Sequence, residues 1–246
     1  MVRTLGVPAG ALLASAALVG ALAATVGVGL LGWATGMGCS ACVVVLAAIA
    51  RPNTPVWGPA NHLTLARALL VSAVAALTAE SFLRPPVTPV VVTLAVAALV
   101  LDAVDGPVAR RTGTATPFGA RFDGEVDALL ILVLCVYVAP DVGGWVLAGG
   151  IARYAFAAAG WVWPWLRGAL PARYWRKVVT ATEGVALAVA AADVLPRWFS
   201  VTGLVIGSIL LAESFGRDVL WLWRQRALEP RRHGRPAAVL VEMGEP

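Results

Sequence analysis

Between Arg3 and Arg51 the chain carries no charged side chain, and from there to residue 224 apolar segments follow one another with only short breaks. Each is roughly 20 residues long, the length an α-helix needs to cross ~30 Å of hydrocarbon. This restricts the fold more than any other feature. In lipid the backbone N–H and C=O groups have no water to bond, so a spanning segment must satisfy them within itself, as a helix does. The expected fold class is all-α, a polytopic membrane helix bundle. With 59% hydrophobic and 13% charged residues and a mean hydropathy of +0.81, a soluble domain is excluded.

Residues 5–50 are long enough to cross twice, turning near the glycine-rich Gly27–Gly38. They read as an extra N-terminal hydrophobic segment, a helical hairpin that returns Arg51 to the side of Arg3. A signal peptide beginning Met1-Val2-Arg3 is the competing reading, but the apolar run is too long for an ordinary signal sequence. Residues 51–60, rich in Pro and Trp, suit an interfacial linker. Six further crossings are expected at 61–82, 86–111, 117–140, 142–166, 175–194 and 197–224. The organisation that follows is a hairpin and linker over 1–55, a six-helix core over 56–228, and a flexible basic tail over 229–246.

The net charge of +5 comes almost wholly from arginine, Lys177 being the one lysine. Basic residues gather at Arg110 and Arg111, from Arg167 through Arg173 and Arg176 to Lys177, and from Arg224 to Arg235. By the positive-inside rule these ends face the cytoplasm. Anionic lipid headgroups, rather than nucleic acid, are the expected partner of the basic tail. Cys39, Cys42 and Cys135 lie in apolar surroundings and read as small core residues; no second Cys or His pair completes a zinc set with the C-x-x-C of Cys39 and Cys42.

Against this background four aspartates stand out. Asp102 and Asp105 are three apart, Asp123 and Asp127 four apart, so each pair shares a helix face, and a short hairpin between the two helices can aim both pairs at one point. Thr116-Pro117 has the form of an N-cap followed by Pro at the first helical position. Gly106, Ala109 and Gly119 keep the facing surface small. A carboxylate at membrane depth costs several kcal/mol unless paired, hydrated or bound to a cation. Four together suit divalent cations with oxygen ligands, magnesium or manganese, and two such ions can support phosphoryl transfer. Interhelical salt bridges to Arg110, Arg111 and Arg121 are the alternative.

The stretch from Asp102 to Asp127 resembles, position for position, the D-x-x-D-G-x-x-A-R-x8-G-x3-D-x3-D signature of the CDP-alcohol phosphotransferase family. Asn61-His-Leu63-Thr64-Leu-Ala-Arg67 is similar to the N-x-L-T-x-x-R start of that family's first core helix, Asn61, Thr64 and Arg67 sharing one face. The resemblance implies six transmembrane helices with the site facing the cytoplasm, a CDP-linked lipid donor, a small polar alcohol acceptor, release of CMP, and often a homodimer. It implies that Asp102, Asp105 and Asp123 are metal ligands. Asp127 would complete the metal site and act as general base on the acceptor hydroxyl. Gly106, Ala109, Arg110 and Gly119 would line the CDP pocket, with Asn61 and Thr64 on the nucleotide side. Residues 1–50 fall outside it.

For the acceptor, Arg153 inside the fourth core helix has no acid close in sequence and reads as a buried anion ligand. With Arg173, Arg176, Lys177 and Arg217 it forms a candidate site for a phosphate, which favours a phosphorylated alcohol such as glycerol 3-phosphate or inositol 1-phosphate over serine or choline. Plain anchoring at the interface is the alternative for this group. Residues 152–153 and 176–183 only loosely match the stretches of phosphatidylglycerophosphate synthases, with Tyr154 in place of Glu, which weakens glycerol 3-phosphate. Glu183 and Glu213 are expected to pair with these arginines. Two further readings stand beside the transferase: a transporter using the acids as a cation site, and a noncatalytic relative.

Overall fold

The computed structural model describes residues 6–49, 58–114, 116–168, 170–171 and 174–228. Arg3, Arg51, most of the 51–60 linker, Arg173 and the tail from residue 229 lie outside the described residues. Within them the chain forms eight α-helices and no strand: α1 (Gly6–Val26), α2 (Leu30–Ile49), α3 (Pro59–Glu80), α4 (Thr88–Arg111), α5 (Pro117–Val142), α6 (Leu147–Val162), α7 (Tyr174–Ala192) and α8 (Arg197–Leu228). Four helical stretches, Leu30–Ala48, Pro59–Glu80, Thr88–Arg111 and Arg197–Arg226, are each long and apolar enough to cross a membrane. The chain is an integral membrane helix bundle.

Local signals account for most boundaries. Pro59 opens α3 directly after Gly58. Thr116 caps α5 by accepting the Gly119 N–H at 3.0 Å, with Pro117 next, as the sequence predicts. Arg110 and Arg111 close α4, where positive charge complements the negative end of the helix dipole. The expected 142–166 helix is instead interrupted. Gly143 turns at φ +110°, a 3₁₀ turn spans Gly144–Val146, and α6 stops at Val162 before a second 3₁₀ turn, Pro164–Arg167. Pro164 is the reason for the second break, because a proline disfavours helical backbone at the residue before it, here the extended Trp163.

α3 is the axis of the bundle. It packs against α1, α2, α4 and α5, and Val71, Ser72, Ala73, Val74, Ala75, Ala76 and Leu77 are all buried, so no stripe of this stretch faces lipid. On the other side α5, α6, α7 and α8 complete the bundle, and α4 touches α7. Large apolar side chains such as Leu13, Val100, Trp161 and Ile209 are exposed on the outside, as lipid contact requires.

The N-terminal hairpin forms as expected, but its turn is confined to residues 27–29, and Gly32, Gly36 and Gly38 lie inside α2. Gly27 has φ +78°, the left-handed conformation that ends a helix at least cost in glycine. Gly32 and Gly36 let α2 lie close on α3: a Cβ on Gly32 would stand 2.9 Å from the Ala76 carbonyl oxygen, and one on Gly36 3.2 Å from that of Ser72. The hydroxyls of Ser15 and Ser40 bond across α1 and α2 at 2.5 Å. At the far end of α3, buried Glu80 accepts the Gly29 N–H at 2.9 Å and pairs with Arg84 at 3.2 Å, while Arg84 donates to the Gly27 carbonyl at 2.7 Å. The hairpin turn is thus clasped to the core. Of the cysteines only Cys135 is fully buried; Cys39 is partly covered and Cys42 is exposed on the apolar outer face, because α2 presents only one side to α3.

Candidate active site

α4 carries Asp102 and Asp105 near its C-terminal end, and α5 carries Asp123 and Asp127 in its early turns, so the short 112–116 connection brings both pairs together. Single oxygens of Asp102, Asp123 and Asp127 lie within 4.8 Å of one another. Behind them α3 contributes Arg67, whose side chain is fully buried. Its Nη1 lies 2.9 Å from Asp102 Oδ1 and 2.9 Å from Asp105 Oδ2, and it also donates to Asp123 Oδ1; Nη2 donates to Asp127 Oδ1. Among the described residues Arg67, and not Arg110, Arg111 or Arg121, is the arginine these acids meet.

One guanidinium does not balance them. Ionised, the four carboxylates bring four negative charges to the single positive charge of Arg67, and two like charges ~4 Å apart repel by about 4 kcal/mol at an effective dielectric of 20. Asp102 Oδ1 is buried and, although near Arg67, has no hydrogen-bond donor. An all-oxygen donor set, surplus negative charge and an orphaned carboxylate oxygen together fit a hard divalent cation held by these aspartates.

Two smaller groupings flank the acids. Asn61, buried on α3, approaches Gly119 so closely that a Cβ there would stand 2.8 Å from Asn61 Oδ1, which explains the glycine. Thr64 is buried one turn on and spends its hydroxyl on the Ala60 carbonyl at 3.1 Å. At Gly106 a Cβ would stand 3.4 Å from Arg110 Nη1 and 3.7 Å from Lys177 Nζ, so two cations converge where this residue has no side chain. Ala109 lies on the same helix end, its carbonyl taking the Thr114 N–H at 3.1 Å.

A cavity of about 1250 Å³ opens beside the acids between α4, α5, α6, α7 and α8. Asp102, Asp123 and Asp127 form part of its wall, as do Arg153 and Lys177, while apolar Leu130, Ile131, Phe156 and Leu211 line other parts. Two expectations about its basic side need correction. Arg153 is not buried without an acid: its side chain is 43% exposed and pairs at 2.5 Å with Glu125 of α5. Sequence separation hid that partner, which lies between the two metal-motif aspartates on the adjacent helix. Arg217 does not line the cavity; it pairs at 3.0 Å with Glu213 on its own helix, and Glu213 also accepts the Trp175 indole N–H at 3.1 Å. Arg176 does line it, 3.4 Å from Asp218.

Glu183 also departs from expectation. It is fully buried and neither carboxyl oxygen has a hydrogen-bond partner, so the expected pairing with arginine does not form. Glycines make room for it: a Cβ on Gly149 of α6 would stand 3.2 Å from Oε1, and one on Gly207 of α8 would meet Oε2. The sequence signal for Arg67, by contrast, was present, since it is the sole arginine in a long apolar helix.

The protein-family model described as CDP-alcohol phosphatidyltransferase matches residues 57–212. The chain belongs to this family. The matched span starts just before α3 and ends within α8, so it contains Arg67, all four aspartates and most of the cavity wall, and leaves α1 and α2 outside. No curated protein and no solved structure matches the chain significantly. As a CDP-alcohol phosphatidyltransferase, the protein is a membrane transferase of phosphatidyl groups.

Proposed function

We propose that this phosphatidyltransferase moves a phosphatidyl group from a CDP-linked lipid to the hydroxyl of a small polar alcohol and releases CMP, as a step of phospholipid synthesis. The observation that carries the reading is the convergence of Asp102, Asp123 and Asp127 within 4.8 Å at the wall of a large, partly apolar cavity. Asp102, Asp105, Asp123 and Asp127 would hold two divalent cations, magnesium or manganese, which when bound would neutralise the donor diphosphate and the departing CMP.

The protein's own groups do the rest. Asp127, on the cavity wall, takes the proton of the acceptor hydroxyl as its oxygen bonds to the lipid-bearing phosphorus and the bond from that phosphorus to the CMP oxygen breaks. Gly106, Ala109, Arg110 and Gly119, with Asn61 and Thr64, receive the CDP half. The open space at Gly106 admits a phosphate between Arg110 and Lys177, and the Arg110 fork suits bidentate bonding. Lys177 thereby serves the donor side as well as the acceptor side. Arg153 and Arg176 offer cationic groups to an acceptor phosphate, with Glu125 and Asp218 holding them until it arrives.

The active site faces the cytoplasm in this reading, supported by Arg110, Arg111, Arg167, Arg176 and Lys177 gathering at the aspartate end of the bundle. Purified protein in detergent should release CMP from CDP-diacylglycerol only when magnesium or manganese and a suitable alcohol are both present, with the new phospholipid identified by mass. CMP release unaffected by chelator would sink the cation site. Cation flux in liposomes with no CMP release under any acceptor would favour a transporter.

A further inference from the structure

Among the described residues Arg67 is the cation that all four carboxylates share, and it reaches every one of them from a position with no solvent exposure. Its contacts fall on Asp102, Asp123 and Asp127, the same three side chains whose oxygens are spaced to share an ion. Two groups of positive charge therefore claim one set of oxygens. The guanidinium is also incompletely satisfied, its buried Nε having no partner, and Asp102 Oδ1, although 2.9 Å from Nη1, accepts no hydrogen bond. A guanidinium fork offers planar bonds to two or three carboxylates, whereas oxygens spaced around a point suit a spherical ion. The arginine holds the site together without filling its valences.

We propose that Arg67 is the resident counterion of this site: it keeps the four aspartates assembled when no metal is bound, and divalent cations enter by exchange against its guanidinium, so that Arg67 lowers the site's metal affinity and keeps binding reversible. The inference rests on the reading of the aspartates as the cation site of the transfer reaction. Arg67 is here a positioning residue, acting on the ligands and not on the reacting atoms. α3 carries it at a fixed height because the helix is packed by four neighbours, so the exchange is a side-chain movement inside the α3–α4–α5 junction and not an opening of the bundle.

The test uses the full-length protein in detergent, stripped with chelator, and two variants, Arg67→Gln and Arg67→Lys. Manganese binding is measured by titration calorimetry, with melting temperature followed with and without manganese. Removing one positive charge at contact distance should tighten manganese binding by about tenfold or more in Arg67→Gln. The same variant should melt lower than wild type in chelator and gain more from manganese. Arg67→Lys, a point charge that cannot bridge all four acids, should fall between the two in both measurements, and it serves alone if Arg67→Gln fails to fold without metal. Manganese binding equal to or weaker than wild type in the folded variants overturns the proposal, as does absence of binding in all three proteins. CMP release by the wild type is assayed in parallel. A wild type that binds manganese but transfers nothing defeats the transferase reading and leaves the exchange result standing.

Discussion

The two ends of α3 carry the same chemistry with opposite accounting. At Glu80 one acid meets Arg84 and the Gly29 N–H, and Arg84 also bonds the Gly27 carbonyl, so each charged group has partners and the contact joins the hairpin to the core. About 20 Å away along the helix, Arg67 faces four acids, and one of their buried oxygens has no hydrogen-bond donor. The first arrangement is closed and stabilises the fold. The second stores surplus negative charge that a ligand can complete, which is the mark of a site and not of a fastening.

The contrast is sharpest in the separation of activity from stability. Asp127→Asn should lower CMP release by about 10²–10⁴-fold, the range of a lost general base, while the melting temperature in detergent holds or rises because a repelling charge is gone. A variant that keeps full turnover would remove Asp127 from the base role. At the other end the pattern should invert. Gly32→Leu forces side-chain atoms into the space that holds the Ala76 carbonyl, an overpacking cost of about 1–3 kcal/mol or more, and should loosen the hairpin, read as faster proteolysis of α1 and α2. Glu80→Ala leaves the Gly29 N–H unpaired and should cost about 1–3 kcal/mol, seen as a lower melting temperature with turnover per folded molecule retained. Equal loss of activity and stability in that variant would break the comparison. Arg84→Ala should matter least, under about 1 kcal/mol, because its side chain is 59% exposed.

Much of this architecture is legible in the sequence because its causes are local. Thr116 and Pro117 mark the start of α5, and Arg84-Pro85-Pro86 the break after α3, since caps and prolines act on the residues beside them. The three- and four-residue spacings of the aspartates are enough to put each pair on one helix face. The break inside the expected 142–166 helix is less visible: Gly143 and Pro164 are present, but a glycine is tolerated in membrane helices and its φ is set by the packing around it. The partner of Arg153 and the isolation of Glu183 are not legible at all. Glu125 precedes Arg153 by 28 residues, and no sequence rule says which way neighbouring helices turn toward each other.

By itself the sequence determined that this chain is an all-α membrane bundle with two carboxylate pairs on adjoining helices, because hydropathy and helical periodicity are properties of single segments. Tertiary structure alone decided which charges meet. Arg67 becomes the counterion of Asp102, Asp105, Asp123 and Asp127, and Glu183 stays unpaired in a glycine-lined gap. Those outcomes depend on the relative height and rotation of packed helices, which the close approach of Gly32 and Gly36 to α3 and of Gly119 to Asn61 helps set. Contacts of that kind arise between segments, and no segment encodes them alone.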